Sequence, residues 1–249
     1  MANARTCVPP NPTVFNGPAG MAASFGYVGT HKQFWAGYTD NSSNNGGVIY
    51  NQVQGGWVQP SVRGNSAYPQ SKYLSDAPNV GFWVGLGGVN GGALVQAGAA
   101  SIGTATPQYR FFTQDLPYNP GAVWEGPAIR PGQTTFVDVV YNFDGSASYY
   151  LENVTTGAYS PFTNQASPDF TGHSADFVSE KPSTAAYQPR FSGVTFHGAA
   201  AFWNHNNGEE LVANLNYTKQ VEVNGNGTVM ASPTNPSSPS SFTVNWYHD

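Results

Sequence analysis

Residues 175–182, ADFVSEKP, place two carboxylates on a short segment of a chain in which only 9% of residues are charged. The segment alternates like a β-strand, and strand side chains point to opposite faces in turn. Asp176, Val178 and Glu180 therefore share one face. Two acids on one face are either solvated surface groups, or one of them acts as an acid or base in catalysis. The segment alone leaves both interpretations open.

Gln96 is the second polar residue of interest. Within ALVQAG (93–98) it shares a strand face with Leu94 and Gly98. A neutral amide can donate a hydrogen bond without titrating, which suits the stabilisation of a developing oxyanion. An amide hydrogen-bonded at a strand edge explains the same pattern.

The sequence gives little support for other catalytic chemistries. No HExxH spacing occurs, no G-x-S-x-G occurs, and no helix is expected after the glycine-rich stretches, as a phosphate-binding loop would require. FDGS (143–146) is similar to an aspartic-protease loop, but such a dyad needs two copies and the motif occurs once. A hairpin turn explains it. We therefore predict no metal and no cofactor. The histidines are scattered: His31, His173, His197, His205 and His248.

Composition limits the partners and the surroundings of this protein. The 249 residues include nine Lys plus Arg and 14 Asp plus Glu, a net charge of −5, and no basic run, which argues against nucleic acid or an anionic membrane as partner. So few cations would repel one another little in acid, which suits a protein that works at low pH; a plain Ser, Thr and Asn surface explains the composition as well. Cys7 is the single cysteine, and no apolar run approaches the roughly 20 residues of a membrane-spanning helix.

Short segments rich in β-branched and aromatic residues, separated by Gly, Asn or Pro, predict an all-β protein. Asp144-Gly145 predicts a hairpin turn. Strands at this spacing form a sandwich or a barrel, and we favour a sandwich in one domain over 1–249, with a loose segment over 1–30 and a surface loop over 231–241. The predicted strand segments are 46–60, 79–88, 91–101, 134–143, 147–157, 190–199, 210–219, 221–231 and 241–248.

Six stretches of the sequence, in order, resemble the glutamic peptidases, or eqolisins. The resemblance covers roughly residues 34–246. It rests on FWAGY (34–38), VQGGWVQP (53–60), FWVGLGG with LVQAG (82–98), YYLENVTTG (149–157), ADFVSEKP (175–182) and FSGVTF (191–196).

The resemblance implies a sandwich of two packed antiparallel sheets, a concanavalin-like jelly roll. It also implies a secreted acid endopeptidase that acts on protein or peptide substrates. The hydrophilic surface makes a monomer the default expectation. The family's catalytic pair maps to Gln96 and Glu180, with the glutamate as general base on water and the glutamine as oxyanion donor. Trp83 would line the substrate cleft. Trp35 is a candidate for the same role that could equally be a core residue, and Trp57 is expected in the core.

The chain departs from the family pattern where further acids are expected. With fewer acidic neighbours, Glu180 is expected to have a less raised pKa, and the pH optimum, specificity or activity to differ from those of typical members. Lys181, next to it in sequence, is expected to face the other way. The residues that stand where the family has these acids are Gly87, Ala99 or Ala100, and Gln114.

Two other functions fit the sequence. One is a non-catalytic sandwich module that binds carbohydrate or mediates adhesion, since such modules are also rich in Tyr, Trp and Asn. The other is a peptidase homologue that has lost activity. The peptidase interpretation requires Gln96 and Glu180 to approach within the distance of one shared water in an open groove, and it fails if their side chains point to opposite faces.

Overall fold

The computed structural model describes residues 30–32, 34–68, 77–89, 92–142, 144–166, 168–183, 185, 187–203, 208–211 and 216–247. Within them the chain forms strands and one short 3-10 helix, Ser42–Asn45, which confirms the all-β prediction. The described residues form no helix long and apolar enough to cross a membrane. The strands are β1 (Thr30–Lys32), β2 (Trp35–Asn41), β3 (Tyr50–Val58), β4 (Asn79–Gly87), β5 (Leu94–Ile102), β6 (Gln108–Leu116), β7 (Asn119–Trp124), β8 (Thr134–Tyr141), β9 (Ser146–Asn153), β10 (Ala158–Gln165), β11 (Ser174–Glu180), β12 (Val194–Trp203), β13 (Gly208–Leu211), β14 (Tyr217–Val223), β15 (Val229–Pro233) and β16 (Phe242–Trp246).

The strands hydrogen-bond in one continuous path, β10-β9-β8-β3-β12-β16-β15-β14-β2-β11-β4-β5-β6-β7. β1 adds to β14 in parallel, and β13 pairs with β12. The path folds back on itself, because β3 and β8 pack face to face on β4, and β8 and β9 pack on β5. The predicted sandwich is therefore present, with hydrogen bonds that continue from one layer into the other through β16, β15 and β14.

The main core lies between the two layers. Alternation along the strands supplies it, as in β9, where every second residue is buried. Trp57 is fully buried there against Phe196, with ring centroids 5.4 Å apart, which confirms its expected place in the core. Burial of each such large apolar side chain stabilises the fold by about 1.5–3 kcal/mol.

Two predicted loop features can be located. The Asp144-Gly145 turn joins β8 to β9, with Gly145 at φ 87° and the Ser146 backbone N–H donating to Asp144 Oδ1 at 2.9 Å, which confirms the hairpin. The segment 231–241 begins inside β15, so the connecting loop spans 234–241 only. The predicted loose segment, apart from Thr30, lies outside the described residues.

Several carboxyl groups are buried in this fold, and burial favours their protonated form. Asp138 on β8 is 9% exposed, and its two oxygens accept hydrogen bonds from Gln52 Nε2 at 3.0 Å. Burial raises the pKa of Asp138 to about 7. Asp115 on β6 accepts a hydrogen bond from the Tyr149 hydroxyl across the core, and burial raises its pKa as well. The folded chain therefore holds protons that the unfolded chain has released by pH 6.

We expect the thermal stability to fall as the pH rises from about 4 to about 7. A carboxyl pKa that folding raises stabilises the fold below the unfolded pKa, near 3.8 for Asp138, and this contribution is lost as the pH rises through the folded value of about 7. Asp138→Asn should reduce the fall in Tm, measured by circular dichroism, by several degrees. Asp144→Asn is the control, because the pKa of that exposed carboxyl is lowered by its hydrogen bonds to Ser146. A wild-type Tm that is unchanged or higher at pH 7 would contradict this account.

Candidate active site

A second apolar cluster lies on the face of β2, β11, β4, β5 and β6 that points away from the main core. We call this surface the site face. Gly81, Trp83 and Gly85 alternate onto it from β4, and Gly81 pairs with Glu180 on β11 while Gly85 pairs with Gln96 on β5. The cluster consists of Trp83, Leu94, Ala100, Phe112 and Val178, with Trp35 and Leu116 packed against it.

All four residues singled out in the sequence belong to the site face: Gln96, Glu180, Trp83 and Trp35. Gln96 and Glu180 are on a diagonal, two strands apart and four residues apart along the strands. In a flat sheet their Cα atoms are therefore about 10 Å apart across the strands and about 13 Å apart along them. Trp83 lies between them on β4.

Glycines make room for the Trp83 indole on the sheet. A Cβ at Gly98, opposite Trp83 on β5, would lie 2.5 Å from Trp83 Cβ. A Cβ at Gly85 would lie 3.0 Å from both Trp83 Cζ3 and Gln96 Cβ, and one at Gly81 would lie 3.5 Å from Trp83 Cδ1. The ring therefore extends along β4 from Gly81 to Gly85. Its N–H end is next to Glu180, and its six-membered ring is next to Gln96.

Glu180 is held by indole N–H groups. Trp83 Nε1 donates to Glu180 Oε2 at 2.8 Å, Trp35 is a second hydrogen-bond donor, and the two indoles meet edge to face with centroids 5.0 Å apart. Burial raises the pKa of Glu180 to about 7, against the lowering effect of the two donors. Burial, and not neighbouring acids, is thus the cause that raises this pKa, and the comparison with typical family members stays a prediction.

Gln96 is 3% exposed and is linked to β7 through Gln114 on β6. Its Nε2 donates to Gln114 Oε1 at 2.7 Å, and Gln114 Nε2 donates to the Pro120 carbonyl. Gln96 Oε1 is buried and has no hydrogen-bond partner in the described part of the chain. The amide thus has one N–H and one oxygen available for another group, since an amide nitrogen carries two hydrogens.

Two further carboxyl groups belong to this side of the layer. Asp176 is fully buried on the row of Gln96 and accepts a hydrogen bond from Ser174 Oγ at 3.2 Å. Glu222 on β14 accepts one from Gln188 Nε2 at 2.8 Å, and burial raises its pKa to about 8, to which the Glu180 charge also contributes. Sequence reasoning missed Glu222, because only the strand order β14-β2-β11 brings it near Glu180.

The positions where acids were expected have distinct surroundings. Gly87 ends β4 at φ 86°, and a Cβ there would overlap the Ala93 carbonyl oxygen, so the local backbone requires glycine. Ala100 lies on the site face, and Gln114 is the partner of Gln96. Lys181 does not contact Glu180 through its ammonium, which lies 5.2 Å from the Phe34 ring centroid.

The two tryptophans differ in access to solvent. Trp83 is fully buried, so its polar contact is with Glu180 rather than with solvent, whereas Trp35 is partly exposed. In the described ranges no three His, Cys, Asp or Glu side chains gather as a metal site. The arrangement places Glu180, a partly exposed residue whose carboxyl pKa is raised, at one end of the indole and the neutral amide of Gln96 at the other.

Comparisons with known proteins agree with this architecture. A family model described as the Peptidase A4 family matches residues 33–246. The crystal structure of scytalido-glutamic peptidase with a transition state analog inhibitor is 19% identical, with a TM-score of 0.68 over 87% of this chain and 99% of that one. No curated protein matches the chain by sequence.

Two other crystal structures share the fold. SCP-B, a member of the eqolisin family in complex with the tripeptide Ala-Ile-His, is 16% identical with a TM-score of 0.64, over 87% of this chain and 99% of that one. Aspergilloglutamic peptidase from Aspergillus niger is 21% identical with a TM-score of 0.58, over 68% and 99%. At these identities the structural likeness establishes the fold.

We expect Trp83→Phe to raise the pKa of Glu180 above about 7. The substitution removes the N–H that stabilises the ionised carboxylate but keeps an aromatic ring over the glycines. A hydrogen bond to a charged group contributes about 1.5–3 kcal/mol, which corresponds to about one to two pKa units. Carbon-13 NMR of labelled glutamate side chains would follow the titration. Trp124→Phe, at an exposed position on β7, is the control, and an unchanged Glu180 titration in Trp83→Phe would contradict the assigned role of the indole.

Proposed function

This chain belongs to the Peptidase A4 family, and on that premise we propose that it is an endopeptidase that hydrolyses peptide bonds with Glu180 as general base and Gln96 as oxyanion donor. Membership of the family makes it a glutamic peptidase that acts on peptides. The catalytic pair, the working pH and secretion as a monomer are our proposals.

One observation carries the assignment of the pair. Glu180 and Gln96 point to the same face and lie at the two ends of the Trp83 indole, which donates its N–H to Glu180. A carboxylate and an amide placed in this way can act on two sides of one bound peptide group. The opposite arrangement, with the two side chains on opposite faces of the layer, would have excluded a joint role.

The hydrolysis we propose needs only these two groups and a water molecule. Ionised Glu180 accepts a proton from water while the water oxygen bonds to the carbonyl carbon, and the carbonyl π electrons move onto its oxygen. The free N–H of Gln96 donates to that oxyanion, and its Oε1, which has no partner in the described residues, can accept from the water. Glu180 then returns the proton to the amide nitrogen as the C–N bond breaks.

We propose that the enzyme is active in acid, with a rate that increases up to about neutral pH. The fold is favoured by low pH, because Asp138, Glu222 and Glu180 have raised pKa values. A base with a pKa of about 7 is, however, only about one-hundredth ionised two pH units lower. The optimum we propose is therefore mildly acidic to neutral, higher than composition suggests. Low charge and acid-favoured folding also support our proposal of a secreted monomer.

We expect Glu180→Gln and Gln96→Ala each to reduce kcat/KM by at least a hundredfold on a denatured protein substrate or a quenched peptide at pH 6. The first variant removes the base, and the second removes an oxyanion donor, for which losses of about 10²–10³ in kcat are typical. Glu152→Gln, on β9 in the other layer, is the matched control and should retain activity.

Equal cleavage by the wild type and all three variants would overturn the assignment of Glu180 and Gln96 as the catalytic pair. No cleavage by the wild-type protein over pH 3–8 would instead favour a binding module or an inactive homologue.

The kcat/KM profile of the wild type should rise with pH along a limb that has an apparent pKa of about 7. Glu180 must be ionised to act as the base, and its folded pKa sets that limb. Trp83→Phe should move the limb to higher pH. A limb centred near pH 4 would show that Glu180 is solvated during turnover, or that another group is the base.

A further inference from the structure

Arg110 is a cation on the site face that the proposed mechanism does not use. It lies on β6 directly opposite Ala100 on β5, and Ala100 is in turn opposite Gly81 on β4, which pairs with Glu180 on β11. Arg110 and Glu180 thus belong to one row across four strands and point to the same side. No other Lys or Arg in the described parts of β2, β4, β5, β6 and β11 is directed to this face.

The guanidinium of Arg110 has no built-in anion. It is exposed, its Nη2 donates to the neutral amide oxygen of Gln108 at 3.1 Å, and no carboxylate pairs with it among the described residues. The position that faces it directly, where a carboxylate would be within reach, is Ala100. The charge of Arg110 is therefore available to a ligand.

The spacing along the row suits a peptide bound across it. Three strand spacings separate the Cα atoms of Arg110 and Glu180, about 14 Å, a distance that the two side chains and one substrate side chain can span together. Side chains on one side of an extended peptide repeat every two residues, about 7 Å. With the scissile carbonyl at Glu180, a substrate side chain within two residues of it falls within reach of Arg110. The buried rings of Trp83 and Phe112 lie beside Gly81 beneath this interval.

We propose that Arg110 is a specificity-determining residue that selects substrates with an acidic side chain within two residues of the scissile bond. The proposal rests on the proposed function of Glu180 and Gln96. A chain with a net charge of −5 otherwise repels acidic peptides, so this local cation decides whether they are accepted. An exposed ion pair of this kind contributes a preference of about fivefold.

The test uses a set of quenched peptides with one parent sequence. At each of the four positions nearest the scissile bond, two on either side, the residue is Glu, Gln or Lys. For the wild type, at one of these positions kcat/KM should be about fivefold higher with Glu than with the isosteric Gln, and lowest with Lys. Arg110→Gln should bring the Glu to Gln ratio to about one, and Arg110→Glu should invert the order. Arg130→Gln, an exposed arginine outside the site face, should leave the wild-type ratio unchanged.

Ala100→Asp gives a second, independent variant. It places a carboxylate opposite Arg110 and should abolish the preference for Glu while Arg110 is still present. Half-molar salt should weaken the wild-type preference, because it screens exposed charges. A Glu to Gln ratio near one at all four positions in the wild type, or a ratio unchanged in Arg110→Gln and Ala100→Asp, would overturn the proposal.

Binding separates this proposal from the proposed catalytic pair. Glu180→Gln should bind the same peptides without cleaving them, and the quenching of tryptophan fluorescence reports that binding. Tighter binding of the Glu peptide than of the Gln peptide, lost when Arg110→Gln is added, supports the role of Arg110 even if the general-base mechanism fails. Equal binding of both peptides contradicts it even if Glu180 and Gln96 prove catalytic.

Discussion

The hydrogen bond from Trp83 Nε1 to Glu180 Oε2 is the interaction on which the rest of the site depends. It keeps a carboxylate ionisable at a position that has lost most of its water, and it fixes that carboxylate at one end of the indole. The indole can lie there because Gly85 and Gly98 beside it lack side chains. At its other end the same ring adjoins Gln96, which is restrained by Gln114 on β6 and, through Gln114, by the Pro120 carbonyl on β7. The packing of one aromatic ring thus sets the relation between the base and the oxyanion donor.

Burial has opposite consequences for stability and for catalysis. Removing carboxyl groups from water makes their protonated forms more stable in the fold, so acid favours the native state. The same removal makes Glu180 a stronger base, which is useful only at a pH where a sufficient fraction is ionised. The working range lies where these two effects overlap. The neighbouring Glu222, with a pKa of about 8, remains protonated through that range and so adds no second negative charge to the row.

Much of the fold could be predicted from local patterns, whereas the placement of Gln96 and Glu180 on one face could not. Alternation gave the strands, the Asp144-Gly145 pair gave a hairpin, and ordered motifs identified Gln96 and Glu180. The register of pairing could not be predicted, since it depends on contacts between distant strands. Glu222 and Arg110 therefore gained significance only once β14 and β6 were placed. The burial that raises the pKa of Glu180 could not be predicted for a related reason, because it is a property of the packed chain.

The central claim is that Glu180 and Gln96 act on the same transition state, and a double-mutant cycle on kcat/KM tests it most directly. Glu180→Gln, Gln96→Ala and the double variant would be compared with wild type on one peptide at pH 6 under single-turnover conditions. Residues that act as a unit are strongly non-additive, so the double variant should be little slower than the slower single variant. Losses that multiply across the cycle would show that the two residues act independently, and would contradict the account.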